Sequence, residues 1–235
     1  MTREVEKEKI VKETVEVEKI VEKEVEKVVE VEKIVEVAPT GPTNSAGITL
    51  PADALPLDQQ HWKIGNGMTG AHGHWMKSLY NLLWGNTMHD DPLVGLDYHG
   101  DPFPCAAESW TVADNNVDWD FKLRQLTWTD GSPVTAHDFE WTLKYTMGNN
   151  YDFGWYYSDI KNALKVLNGE LPPEELGVKA LDDYTLRITT EMPTPYLPQV
   201  LCFYMPMSKA AFEKYGEFYE LDPKTFNGCG PWTLV

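Results

Sequence analysis

His72 and His74 form an HxH pair, with His61, His89 and Asp90 close by in sequence. On a strand, residues two apart share a face, a spacing that zinc can use. Glycines at 70 and 73 place the pair in a loop instead, and no cysteine lies beside it. Exposed loop histidines are the expected reading, and no metal site is assigned. A second group joins carboxylates to indoles: Asp118, Trp119 and Asp120, then Trp128 and Asp130. Two acids facing each other across a sugar, with stacking aromatics, would suit glycoside hydrolysis. The alternation of WDFKL, Trp119–Leu123, argues otherwise: Trp119 points inward and Asp118 and Asp120 outward. Asp130 occupies the turn Thr129-Asp130-Gly131-Ser132, a place that Asp fills for backbone reasons alone. The sequence has no Ser-centred nucleophile elbow, phosphate loop or GxGxxG. No catalytic residue and no cofactor are assigned, and the chain reads as not an enzyme.

Three cysteines, Cys105, Cys202 and Cys229, are far apart, and an odd count without a CxxC pair argues against a disulfide scaffold or a zinc ribbon. Cys202, in the apolar run VLCFY, is expected to be an inert core thiol. Cys229, flanked by glycines and without a basic neighbour, is expected to be exposed but unactivated. His137 is expected on the surface, in the first turn of a helix.

The 235 residues carry 20 Lys+Arg against 37 Asp+Glu, a formal net charge of −17. Nucleic-acid recognition needs a basic footprint, so that class is excluded. No apolar run approaches the ~20 residues of a membrane-spanning helix, and no signal-peptide core follows Met1.

The elements that must position any site divide the chain unevenly. Residues 1–38 hold 12 Glu and 8 Lys+Arg, with Val and Ile making up almost all the rest. VEVEKIVE occurs at Val15–Glu22 and again at Val29–Glu36, two heptads apart. This stalk reads either as a coiled coil able to self-associate or as a solvated, partly helical or disordered spacer. Residues 39–56 read as a Pro/Gly/Ser linker, and 57–235, which holds all nine Trp, as the folded part. There, Leu79–Trp84 reads as the end of a helix. Thr135 and Asp138 open a helix that carries Phe139 and Leu143 on one face and runs to about Met147. Val178–Leu181 and Tyr184–Thr190 read as a hairpin joined by Asp182-Asp183. Ser208 caps a last helix that Gly216 ends.

Four of these stretches, in order, resemble the family 5 extracellular solute-binding proteins of ABC importers. They are CAAESWTVADN (Cys105–Asn115), FKLRQLTWTDGSPVTAHDFEWTLK (Phe121–Lys144), LGVKALDDYTLRITTEMPTPYLPQVL (Leu176–Leu201) and NGCGPWTLV (Asn227–Val235). GVKALDDYTL looks like the oligopeptide-binding branch. The resemblance implies an α/β fold: lobe I of a two-lobed periplasmic-binding-protein-like (type II) clamp, a mixed sheet with flanking helices, preceded by the stalk. It implies that residues 57–235 are a truncated lobe I, that the second lobe is absent, and that the chain is an N-terminal fragment. It implies a substrate-binding component that captures extracellular peptides, or another small solute, for a membrane permease. A carbohydrate-binding relative or a carbohydrate-active enzyme is the alternative. The expected place is extracytoplasmic, in the periplasm or on the outer face of the cell membrane, with anchoring in the full-length protein.

The resemblance also carries the ligand-contact expectations. Tyr151, counted back without gaps from Gly177, falls on an aromatic that touches peptide in the oligopeptide branch; the competing reading is a turn tyrosine packed on Trp155. Met68, in the Gly65–Thr69 stretch, and Asn81 and Trp84, at the end of LYNLLW, are the other candidates. A Trp at such a place also serves as core.

Overall fold

The computed structural model describes residues 41, 43, 49–61, 74, 76–78 and 89–232. The repeat in 1–38, His72, the run Leu79–Trp84 and the candidates Met68, Asn81 and Trp84 lie outside the described residues. The chain forms two compact units, Met1–Gln59 and Gln60–Val235. In the first, Thr43 and Thr49 form an antiparallel bridge, the Gly41 N–H donates to the Leu50 carbonyl at 2.8 Å, and Leu57–Gln59 is a 3-10 turn.

Among the described residues of the second unit, the first strands form a small hairpin, β1 (Val94–Leu96) on β2 (Pro102–Pro104). The main sheet follows, built from β3 (Ala107–Val112) and β4 (Asp118–Leu123). The short pair β5 (Leu126–Thr127) and β6 (Pro133–Val134) then leads into helix α1 (Ala136–Gly148). After a second helix, α2 (Ala163–Leu167), come β7 (Val178–Asp182) and β8 (Thr185–Thr189). Helices α3 (Leu197–Val200) and α4 (Lys209–Tyr215) complete the described order. The main sheet runs β3-β4-β8-β7, and each of its ladders is antiparallel.

Register follows from which side chains must be buried. Trp119 lies opposite Ile188, and Phe121 opposite Leu186. Ile188 and Leu186 in turn face Val178 and Ala180 of β7. These alternate residues form the inner face of the sheet, which α1 covers with Phe139, Leu143 and Met147, all fully buried. A one-residue slip would turn every one of them outward. As expected, Asp118 and Asp120 take the other face: both oxygens of Asp120 accept from Arg187 at 2.7 Å, and Asp118 accepts from Thr189 and Asn115. Carboxylates committed to their own sheet neighbours do not face each other across a sugar site.

Local chemistry sets the ends of the elements. Asp138 accepts from both the N–H and the hydroxyl of Thr135, at 2.9 and 3.0 Å, and so closes the start of α1. Asp182 accepts from the Tyr184 N–H and the Thr185 hydroxyl and shapes the turn of the β7-β8 hairpin. The Ser208 hydroxyl accepts from the Ala211 N–H at the start of α4, and Gly216 ends that helix with φ 90°. Between β5 and β6, Gly131 takes φ 86°, while Asp130 accepts from the Ser132 N–H and hydroxyl.

The burial expected of two cysteines is reversed, while Cys229 is unactivated as expected. Cys229 is buried, and Cys202 is only half-buried. Thr129 N–H donates to the Gly228 carbonyl, Gly230 N–H to the His89 carbonyl, and Cys229 N–H to Asp90 Oδ1. The glycines flanking Cys229 thus pin it under the loop rather than loosening it. Cys202 sits in the 3-10 turn Leu201–Phe203, whose apolar neighbour Leu201 takes the core position instead.

Candidate functional site

Two residues of one short segment, Lys77 and Ser78, meet four others from far along the chain, Asp152, Glu217, Phe218 and Glu220. Lys77 is fully buried, 1% exposed. Its ammonium donates to Glu220 Oε1 at 2.6 Å and to the main-chain carbonyl of Glu217, and it lies 5.9 Å from the Phe218 ring centre. Glu217 and Glu220 come from the stretch after α4, where Gly216 turns the chain back. The Glu217 carboxylate accepts from the hydroxyl of Tyr151, in the loop after α1. Ser78 donates to the carboxylate of Asp152, the residue after Tyr151, at 3.1 Å.

Tyr151 is therefore half-buried and held at its polar end. Its ring lies 5.8 Å from that of Tyr145 on α1, which stacks on Trp141 at 5.2 Å and packs on Phe212 of α4 at 4.9 Å. Trp155, the other expected neighbour of Tyr151, meets Tyr156 edge-on. The Tyr145 and Tyr151 hydroxyls are 3.4 Å apart. Because the Tyr151 proton goes to a carboxylate, Tyr145 is the donor in that contact. Burial, and then the hydrogen bond to Glu217, raise the Tyr151 phenol above the ordinary tyrosine range. A neutral phenol whose proton is already committed meets further groups only as an acceptor, as it meets the Tyr145 hydroxyl.

A second buried cluster centres on His74, three residues before Lys77. His74 is 3% exposed, which corrects the expectation of an exposed loop histidine. Its Nδ1 accepts from the Met76 N–H at 3.2 Å, so Nε2 carries the proton and donates to the Pro206 carbonyl at 3.1 Å. Asp90 Oδ2 is 3.7 Å from the same nitrogen. Burial, with the Lys77 charge adding to it, lowers the His74 imidazole to about 3, and burial raises the Asp90 carboxyl well above its usual range. A neutral imidazole among satisfied partners holds structure together. Among the described residues no group of three or more His, Cys, Asp or Glu is placed to hold a metal ion. His137 is on the surface, 3.5 Å from Asp183.

Of the four expected contact residues, Tyr151 is the one among the described residues. Lys77, Glu217 and Glu220 were not anticipated. Lys77 had one legible signal: a lone charge between Met76 and the apolar run at 79–84, which implies a buried counter-charge but not which carboxylate supplies it.

Residues 101–235 match the family described as bacterial extracellular solute-binding proteins, family 5, middle region. The chain belongs to this family. It is 41% identical over 149 residues to the periplasmic oligopeptide-binding protein OppA of Escherichia coli K12, covering 60% of this chain and 27% of that protein. It is 31% identical over 165 residues to the dipeptide-binding protein DppE of Bacillus subtilis 168, covering 66% of this chain and 30% of that one. Listeria monocytogenes OppA, solved bound to peptide, superposes with a TM-score of 0.63 at 27% identity, over 72% of this chain and 35% of that chain. The murein tripeptide-binding protein MppA of Escherichia coli gives the same TM-score and identity, over 71% and 34%. The chain thus spans between about a quarter and a third of the length of these family 5 relatives. Its fold is that of an α/β lobe of a type II periplasmic binding protein.

Proposed function

We propose that this family 5 chain supplies one lobe of the substrate-binding component of an ABC importer, and that its solutes are peptides. Support comes from relatives in Gram-negative and Gram-positive species that are named for oligopeptides, a dipeptide and a murein tripeptide and that share the stretch building this lobe. The single structural observation that carries it is Tyr151. Its phenol gives its proton to Glu217 and so meets other groups as an acceptor, the role that the N–H of a peptide main chain requires. Main-chain recognition reads no side chain and suits a carrier of many sequences.

On this reading Tyr151 contacts ligand, with Met68, Asn81 and Trp84 as further contacts. The protein works outside the cytoplasm, docks on a membrane permease and performs capture rather than catalysis. Residues 1–38 act as a stalk, with self-association as a second role, and residues 39–56 join it to the lobe at 57–235. Membrane anchoring of the complete protein would give the stalk its use as a spacer. Capture depends on a ligand that prefers the closed form of the clamp.

The test is calorimetric titration of the complete gene product with trialanine, tetralysine and maltotriose. Saturable binding of the peptides, weakened in Tyr151→Phe, is the expected result. Binding of maltotriose alone would replace the peptide reading with a carbohydrate one.

A further inference from the structure

We propose that Lys77 and Glu220 are positioning residues for the Tyr151 hydroxyl, acting through Glu217. The inference rests on the reading of Tyr151 as a ligand group, and it concerns what holds that group in place.

Glu217 is engaged twice. Its carbonyl accepts from Lys77, and its carboxylate accepts from Tyr151. The main-chain contact fixes where the residue sits, and the side-chain contact passes that position to the phenol. Glu217 has no helix to hold it: Gly216, at φ 90°, has already ended α4. The Tyr219 N–H donates to the Gly216 carbonyl at 3.2 Å across Glu217, and a 3-10 turn, Tyr219–Leu221, follows. Lys77 braces that turn from the side: its ammonium spans from the Glu217 carbonyl to Glu220 three residues on.

The second observation is the cost the fold accepts for this arrangement. Lys77 and Glu220 are both nearly inaccessible, at 1% and 2%, and Glu220 Oε2 is buried with no hydrogen-bond partner among the described residues. A buried ion pair is a weak source of stability compared with apolar residues of the same volume. Stability alone would favour an apolar filling, whereas geometry at Glu217 requires a donor that reaches two acceptors at once. The neighbouring contact has the same direction: the Ser78 hydroxyl holds the Asp152 carboxylate, so the side chain next to Tyr151 is tied to the same segment that sets its hydroxyl.

The hydroxyl proton of Tyr151 reports the arrangement directly, without any ligand. In the 235-residue chain carrying tyrosine labelled with 13C at Cζ, its resonance is assigned by its loss in Tyr151→Phe, and its exchange with water is measured. Glu217→Ala removes the acceptor and should release the proton to fast exchange. Glu220→Gln, which keeps shape but not charge, should speed exchange by about tenfold, the size of coupling typical of residues in one network. Lys77→Arg, which keeps a donor able to reach two acceptors, should stay near the wild-type rate, and Lys77→Met should match Glu217→Ala. Each is compared at an unchanged amide spectrum. If Lys77→Met does not fold, Glu220→Gln decides. Wild-type exchange in Glu220→Gln, or in a folded Lys77→Met, overturns the proposal.

Trialanine titration of the complete gene product keeps the two ideas separate. Weaker binding in Tyr151→Phe with wild-type exchange in Glu220→Gln removes the positioning role and leaves the ligand role. Equal binding in Tyr151→Phe with faster exchange in Glu220→Gln does the reverse.

Discussion

Lys77 Nζ lies 2.6 Å from Glu220 Oε1, and neither side chain is more than 2% exposed. Water screens little of that contact, and removing one partner leaves a buried charge alone. Lys77→Met should therefore destabilise the folded unit by about 3–5 kcal/mol, while the double change Lys77→Met, Glu220→Leu should recover much of the loss. Urea unfolding of the two variants and wild type checks both statements. Equal stability of the single and double variants would show that a stranded Glu220 charge is not the source of the loss.

His74 makes stability depend on pH. Its imidazole is lowered to about 3 in the fold, against the ordinary ~6.5 in the unfolded chain. Between those values the unfolded state binds the extra proton, so stability rises with pH. The contribution is complete above pH 6.5 and is lost as pH falls toward 3. Asp90 works in the opposite sense, because a raised carboxyl pKa favours the fold at low pH. Subtracting the pH profile of His74→Asn from that of wild type should isolate a slope approaching ~1.4 kcal/mol per pH unit in this window. A flat difference would mean that His74 charges freely in the fold.

Two glycines should respond differently to alanine. At Gly177 a Cβ would fall 2.5 Å from the Thr189 carbonyl oxygen, backbone that cannot swing aside. Gly177→Ala should cost about 1–3 kcal/mol through displaced strands. At Gly131 a Cβ meets nothing, and only the positive φ of 86° opposes it. That change should cost about 1 kcal/mol. Thermal melts of the two variants give the ranking, and a larger loss at Gly131 would contradict the packing at Gly177.

Thiol reactivity should follow burial rather than the glycines in the sequence. Cys229 is buried, and burial raises its thiol well above the ordinary range. Cys105 is raised to about 11. At pH 8 iodoacetamide should modify Cys202 first, Cys105 slowly, and Cys229 only on unfolding. Peptide mapping of a timed reaction reads the order, and early labelling of Cys229 would mean that the loop at 227–231 opens.

The surface carboxylates of β4 set a lower bound on what electrostatics contributes. Asp120 and Arg187 are 31% and 43% exposed despite their two short hydrogen bonds. Asp120→Asn should cost less than about 1 kcal/mol and lose its effect in high salt. Urea unfolding at two salt concentrations tests this, and a loss of several kcal/mol would give the pair a role beyond the sheet surface.

The sequence by itself determined the parts of this protein whose cause is local. Alternation in Trp119–Leu123 oriented the sheet, Thr135 with Asp138 began α1, Asp182 shaped the hairpin turn, and Ser208 and Gly216 bounded α4. Each rests on residues within a few positions of one another, so spacing alone carries the information. The four stretches also marked the family, because they follow in the family's order from Cys105 to Val235. Only the tertiary structure decided what Tyr151 touches, where Lys77 finds its counter-charge, and that His74 and Cys229 are buried. These depend on partners 66 to 143 residues apart. Which acid meets a buried ammonium is set by how sheet and helices pack, and periodicity does not encode a contact at that range. Glycines beside Cys229 likewise read locally as freedom, yet in the fold they let two backbones close on each other.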